Sequence, residues 1–385
     1  MKFSSGPIVS NRNPIHLKEI AIPHKPRKLS IPVLLLGVAF FVAFLLILEA
    51  ASRKGFLNIL STRESLGNYP TPMGQYFDIK WYGLQEYVAR NGGVDVILIG
   101  SSVVNTGIDP DIVAETYFKI TGIRLRIYNF GIESLDIVPN YVYTKILVQK
   151  YHPSLIVFGT IPRDYLADDN TEVNQQFLSS PWIKYESGQW NLAGFLIDQS
   201  ALMSHYLPYR NWMRSDFLDT LYRIDHRFSR TSSSGYEAEA SVATNLDQPP
   251  DPSSPDEQAT FAKYRNFKID PTRLSYLLSI LNLQKIGNTR VLVTEMPLHP
   301  TFYDYLGGIL VYQEYQNEIA SAVKASGGMF FPSNGDPQIP ANGRPDREHL
   351  NQFGAPVYST YLGTYLATLT THDGLQFISS GQGGH

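Results

Sequence analysis

Apolar residues first run unbroken and then fall into two alternating periods. The unbroken run is Ile31 to Leu48, with no charged side chain. As a helix it would be about 27 Å long, close to the ~30 Å hydrocarbon core of a bilayer. Beyond it, short apolar runs ending near glycine alternate with stretches of helical period. Val94 to Gly100, Arg124 to Phe130, Ser154 to Gly159, Arg290 to Glu295 and Met329 to Phe331 read as buried strands. Asp109 caps a helix that runs from Pro110 to about Lys119. Further helices are predicted over Ser134–Lys150, Pro271–Ile286, Tyr312–Ala325 and Gly354–Leu369. Strands alternating with helices predict a three-layer α/β/α fold around a parallel sheet.

This pattern divides the chain. Residues 1–30 form an arm, 31–50 an apolar segment, 51–93 a linker containing a possible short helix from Tyr76 to Arg90, and 94–370 the α/β body. An insertion at about 165–265 interrupts the body. Its first part holds Trp182, Trp190, Tyr206, Tyr209 and Trp212, read as core rather than as a sugar platform. Its second part, about 230–260, is rich in Ser, Gly, Pro and Asp and reads as a mobile loop, because such residues bury little. Residues 371–385 read as a flexible tail.

Charge bears on the apolar segment. The arm carries Lys2, Arg12, Lys18, Lys25, Arg27 and Lys28 against Glu19, although the whole chain has a net charge of −3. By the positive-inside rule this predicts a single spanning helix with a cytoplasmic N-terminus and an extracytoplasmic body. Arg53 and Lys54 oppose that orientation but are fewer. A signal peptide cleaved near Ala50-Ala51-Ser52 is the competing reading, and the run exceeds the ~7–15 apolar residues usual there. An acidic body argues against nucleic acid as a partner. The absence of cysteine removes thiol nucleophiles and Cys-ligated metals, and the nine histidines show no metal-ligand spacing. No metal or other cofactor is expected.

In an open parallel sheet, ligands bind beyond the carboxyl ends of the strands. There the sequence places Gly100-Ser101-Ser102, Asn129-Phe130-Gly131, Gly159-Thr160-Ile161-Pro162-Arg163-Asp164 and Glu295. Asp346-Arg347-Glu348-His349 comes just before the last helix. Together they supply a hydroxyl, a base, an orienting carboxylate and backbone donors, the parts needed to activate a serine. Arg163-Asp164 reads as a local ion pair or a substrate clamp, Glu295 as a partner for Arg163 or Arg344, and His299 as a loop histidine.

These segments resemble the SGNH/GDSL hydrolase superfamily in order and placement. Gly100-Ser101-Ser102 resembles its Gly-Asp-Ser turn with Ser for Asp, and Asp346 and His349 resemble its late Asp-x-x-His motif. The resemblance implies Ser102 as nucleophile, His349 as base and Asp346 as its orienting carboxylate. Asn129-Phe130-Gly131 matches half of the Asn-x-Gly-x-x-Gly block, with Ser134 at the second Gly. Gly159-Thr160-Ile161 keeps the Gly of Gly-x-Asn and lacks the Asn. Gly131, Ser134, Thr160 and Arg163 are therefore the candidates for oxyanion or substrate contacts. The single anchor and the Gly-Ser-Ser turn look like the envelope branch that includes the teichoic acid D-alanylation protein DltD and the alginate acetylation proteins. That likeness implies an esterase or O-acyltransferase acting on esters, acetyl-type by this analogy, of a cell-envelope glycan. The implied partners are the glycan or an acylated carrier and a membrane-bound O-acyltransferase. The departures from the motifs leave open a catalytically degenerate domain that binds glycan or scaffolds such an assembly.

Overall fold

The computed structural model describes residues 31–53, 75–167, 171–200, 202–203, 231–286, 288–333, 338–372 and 377. The basic arm, residues 54–74 of the expected linker, Tyr206, Tyr209, Trp212 and most of the expected tail lie outside the described residues. The chain divides into two units, Met1–Ala50 and Ala51–His385. In the first, the helix α1 (Ile31–Arg53) begins where the uncharged run begins. Its stretch Ile31–Ala51 has a mean hydropathy of 3.0 and is long and apolar enough to cross a membrane.

The second unit is an α/β fold. Its strands β1 (Val96–Ile99), β2 (Ile127–Asn129), β3 (Leu155–Thr160), β4 (Arg290–Glu295) and β5 (Met329–Phe331) are all parallel, in the order β2-β1-β3-β4-β5. Every residue of β1, β2 and β3 is buried, as a sheet covered on both faces requires. The helices α2 (Gln75–Asn91), α3 (Ser102–Gly107), α4 (Pro110–Thr121) and α5 (Ile137–Tyr151) all precede β3. Asp109 caps α4 by accepting from the N–H groups of Asp111 and Ile112, with Pro110 at the first position. The insertion opens with α6 (Thr171–Ser179), α7 (Pro181–Glu186) and α8 (Leu192–Gln199), and α9 (Pro255–Tyr264) closes it. Then come α10 (Pro271–Asn282), α11 (Ile309–Ala325) and α12 (Ala355–His372). One helical layer pairs α12 with α4, and the other pairs α10 with α5. The chain therefore leaves β1 towards both neighbours, which opens a crevice at the carboxyl ends of β1 and β3.

Two stretches depart from the sequence reading. The segment assigned to the linker contributes α2 to the body, with Phe77, Trp81 and Leu84 in the core. Phe77 and Trp81 join an aromatic cluster with Phe130, Tyr143, Phe177 and Trp182, so Trp182 is core, while Trp190 is 73% exposed. The stretch read as a mobile loop is irregular but lies against the body as a strap over 231–243, and α9 takes over from Pro255. Backbone pairing, one buried cation and the core side chain of Tyr236 fix the strap, whose composition offers little other apolar burial. Asn129 N donates to Ser234 O (2.8 Å) and Gln352 N to Glu239 O (2.7 Å). The Lys80 ammonium, on α2, donates to Asn105 Oδ1 (2.6 Å), to Asn129 O (3.2 Å) and to Gly235 O. Asn105 in turn donates to Glu237 Oε2 at 3.0 Å. Burial pulls the Lys80 ammonium down to about 7, against the charges of Glu237 and Glu133.

Candidate active site

Ser102 is the first residue of α3 and directly follows the turn that ends β1. Its hydroxyl lies 2.8 Å from His349 Nε2. The other imidazole nitrogen, Nδ1, lies 2.8 Å from Asp346 Oδ2 and 3.0 Å from Oδ1. Asp346 Oδ1 also accepts the backbone N–H groups of Glu348 and His349, each at 2.7 Å. That turn sets the carboxylate and the imidazole edge to edge. Elements on both sides anchor it. Arg344 donates to Pro297 O at 2.8 Å. Arg347 pairs with Glu257 of α9 at 2.9 Å and donates to Thr301 Oγ1 at 3.0 Å.

Burial alone would raise the Asp346 carboxyl, but the His349 hydrogen bond and charge and the two backbone donors bring it down to about 2. Burial likewise pushes the His349 imidazolium down, and the hydrogen bond and charge of Asp346 outweigh it, so His349 ends above the ordinary 6.5. A base held this way is oriented and has a stabilised charged form.

Ser102 and His349 open on a cleft of about 350 Å³, whose other walls are Thr106, Glu133, Ser134, Arg163, Glu239 and Pro345. That volume suits a small group rather than a buried polymer segment. Of the four expected oxyanion or substrate residues, Ser134 and Arg163 line it. Ser134 has φ +63, the left-handed region that favours glycine, which is why a Gly suits this position in the resembling motif. Arg163 pairs with Glu348 at 3.0 Å and reaches Ser101 Oγ at 3.4 Å.

Gly131 and Thr160 do not line the cleft. The Gly131 N–H donates to Asn129 Oδ1 at 2.9 Å, and Asn129 in turn donates to the carbonyls of Val104 and Ile108. Gly131 serves close packing: a Cβ there would lie 2.5 Å from Asn105 N. Thr160 is fully buried, and its hydroxyl donates to Asp164 at 3.0 Å and meets Tyr165 Oη at 3.1 Å. Asp164 accepts Ile161 N as well and feels the Arg163 charge, while the Arg163 guanidinium pairs with Glu348. Burial pushes Asp164 up to about 6. Glu295 is buried with Gln316 as a donor and pairs with neither arginine. His299 caps the following turn, accepting from Thr301 N.

The sequence reading missed α3, Glu133, Glu239 and the partnership of Glu348 with Arg163. Glu133 lies inside the turn from Asn129 to Ser134, at a strand end already under suspicion, so its position was a usable signal. Glu239 had none, since its place depends on the strap. No group of three metal-ligating side chains occurs among the described residues.

Comparison with known protein families finds no match, and comparison with curated protein sequences finds none. Among solved structures the chain is similar to an acylhydrolase candidate from Bacteroides fragilis NCTC 9343. The TM-score is 0.34 at 11% identity, covering 77% of this chain and 99% of that one. It is also similar to a gut microbial diltiazem-metabolizing enzyme, with TM-score 0.33 and 12% identity, covering 72% of this chain and 47% of that one.

Proposed function

We propose that this chain is a membrane-anchored serine esterase or O-acyltransferase of the SGNH type, acting outside the cytoplasm on acyl esters of an envelope glycan. The observation that carries the chemistry is the line Ser102–His349–Asp346, with contacts of 2.8 Å on each side of the imidazole. His349 Nε2 takes the proton of Ser102 as Oγ attacks the ester carbonyl carbon. The Ser102 N–H, first in α3, and the Arg163 guanidinium face the oxyanion. Collapse breaks the bond to the alcohol oxygen, which leaves with the proton from Nε2, and the acyl group stays on Ser102. Water or a second hydroxyl then gives its proton to Nε2 and takes the acyl group, and as the acyl–Oγ bond breaks Nε2 returns that proton to Ser102 Oγ. Water makes an esterase; a sugar hydroxyl makes a transferase. Acetyl as the acyl group, and a membrane-bound O-acyltransferase as partner, follow from the resemblance to the envelope branch.

Hydrolysis of p-nitrophenyl acetate by the full chain in detergent tests the reaction class. Ser102→Ala should remove turnover, leaving at most the ~10³–10⁴-fold acceleration over water that binding and oxyanion contacts give alone. Unchanged turnover in that variant would refute the site.

A second reading draws on Gly131 and Thr160, two expected oxyanion contacts that point elsewhere. In it the domain binds an acylated glycan without turning it over. Glycan binding with no turnover, indifferent to Ser102→Ala, would favour that reading.

A further inference from the structure

The nucleophile helix and the base belong to distant parts of the chain, and the strap touches both. The helix α3 has six residues, and Ser101 caps it with no side-chain hydrogen bond. One turn beyond Ser102, Asn105 is fully buried, and Lys80 and Glu237 beside it are buried too. Asn105 Oδ1 accepts from Lys80 Nζ of α2 at 2.6 Å, and its Nδ2 donates to Glu237 Oε2 of the strap at 3.0 Å. The Asn105 backbone oxygen accepts the Glu237 N–H at 3.3 Å. One amide thus supplies the acceptor that Lys80 needs and the donor that Glu237 needs. Lys80 keeps N–H donors in either protonation state, so this bridge does not depend on its charge. From Glu237 onward the strap runs along the turn that carries His349. Gln352 N donates to Glu239 O at 2.7 Å, Asn351 Nδ2 to Ser241 O at 2.8 Å and Ala243 N to Arg344 O at 2.9 Å. Every second residue from 237 to 243 therefore binds the frame of the site: the first holds α3, and the next three hold the late turn. Just before them, Gly235 has φ +88, and a Cβ there would collide with Asn129 O, so the strap lies close against the end of β2.

We propose that Lys80, Asn105 and Glu237 are positioning residues: they fix α3 to the strap and so set where the Ser102 hydroxyl stands relative to His349. This rests on the serine reading of the previous subsection and adds the residues that hold its 2.8 Å contact. None of the three lines the cleft, so they act through α3 and not on the ester. His349 is held from its other side by Asp346, so the base does not follow a shift of α3. A displacement of about 1 Å between reacting groups can cost about 10²-fold in rate. Through the strap, an insertion in the fold helps set the distance on which proton transfer from Ser102 depends.

The test uses the purified full chain in detergent with p-nitrophenyl acetate, at a temperature where circular dichroism shows each variant fully folded. Glu237→Ala removes the acceptor of Asn105 Nδ2. Its kcat should fall about 10–10²-fold with KM within about threefold of the wild type, and labelling of Ser102 by a fluorophosphonate should slow alongside. The pH midpoint of kcat/KM should stay in place, because Asp346, Glu348 and Arg163 act on His349 and are untouched. Glu237→Gln keeps an oxygen for Asn105 and should restore kcat to within about threefold. Should Glu237→Ala fold poorly, Lys80→Met/Glu237→Met removes both partners together and leaves neither charge buried alone, and it should show the same fall in kcat.

A folded Glu237→Ala or double variant with wild-type kcat, a loss that appears in KM instead of kcat, or a Glu237→Gln no better than Glu237→Ala would overturn the proposal. Failure of the serine reading looks different: the wild-type chain then neither turns over the ester nor labels at Ser102 with a fluorophosphonate.

Discussion

His349 stands between two opposing influences, and its pH behaviour follows from their balance. Burial disfavours the imidazolium, while Asp346 favours it more strongly, so the ring holds its proton to a higher pH than a free histidine. Only the neutral ring can accept the Ser102 proton. kcat/KM for an ester should therefore rise with pH through a midpoint above 6.5 and flatten above it. Asp346→Asn removes the hydrogen bond and charge that raise His349, so the midpoint should move to lower pH while the plateau falls by about 10³–10⁴-fold. A pH–rate profile of both proteins checks direction and size together. Arg163 makes a separate prediction. If its guanidinium faces the oxyanion, Arg163→Gln should lower kcat by about 10²–10³-fold with a smaller change in KM, read from initial rates. The nucleophile, base and carboxylate candidates were legible at this level, because a Ser at a strand end and an Asp-x-x-His spacing depend on few residues. Gly131 and Thr160 misled: sequence marks a position at a strand end but not the direction of its donor.

Among the elements, the strands were the most readable. Arg290–Glu295 and Met329–Phe331 occur with the bounds expected, since short buried apolar runs leave little choice of register. The helix α3 escaped notice because six residues hold too few turns to show a period. The helix α2 was assigned to a linker because its apolar residues, Phe77, Ile79, Trp81 and Leu84, are spaced irregularly among polar ones. The strap escaped because composition predicts burial of side chains, not capture of backbone carbonyls by a distant lysine. Its order depends on contacts between residues 155 positions apart, such as Lys80 with Gly235. The turn after β2 gives the element-level prediction. Gly131→Ala would drive a Cβ against Asn105 N in α3, so it should cost about 1–3 kcal/mol of stability and displace the helix that carries Ser102. Thermal melting gives the first effect, and ester turnover below the fully folded control gives the second.

The whole chain joins an apolar helix to an α/β body with a polar cleft. One helix of 23 residues with hydropathy 3.0 over Ile31–Ala51 supports a single-pass anchor, and the six basic residues before it support a cytoplasmic N-terminus. The full chain should stay with membranes after alkaline carbonate extraction. Alkaline phosphatase fused after residue 385 should be active, because the fusion would lie outside the cytoplasm. An inactive fusion on a stably expressed protein would reverse the topology.

The central claim is that Ser102 is an activated nucleophile. Incubation of the purified full chain with a fluorophosphonate, followed by peptide mass spectrometry, tests it most directly. The account predicts one adduct, on Ser102, formed by the wild-type chain and lost in His349→Ala. A folded wild-type chain that stays unlabelled at Ser102, or an adduct that forms equally well without His349, would contradict it.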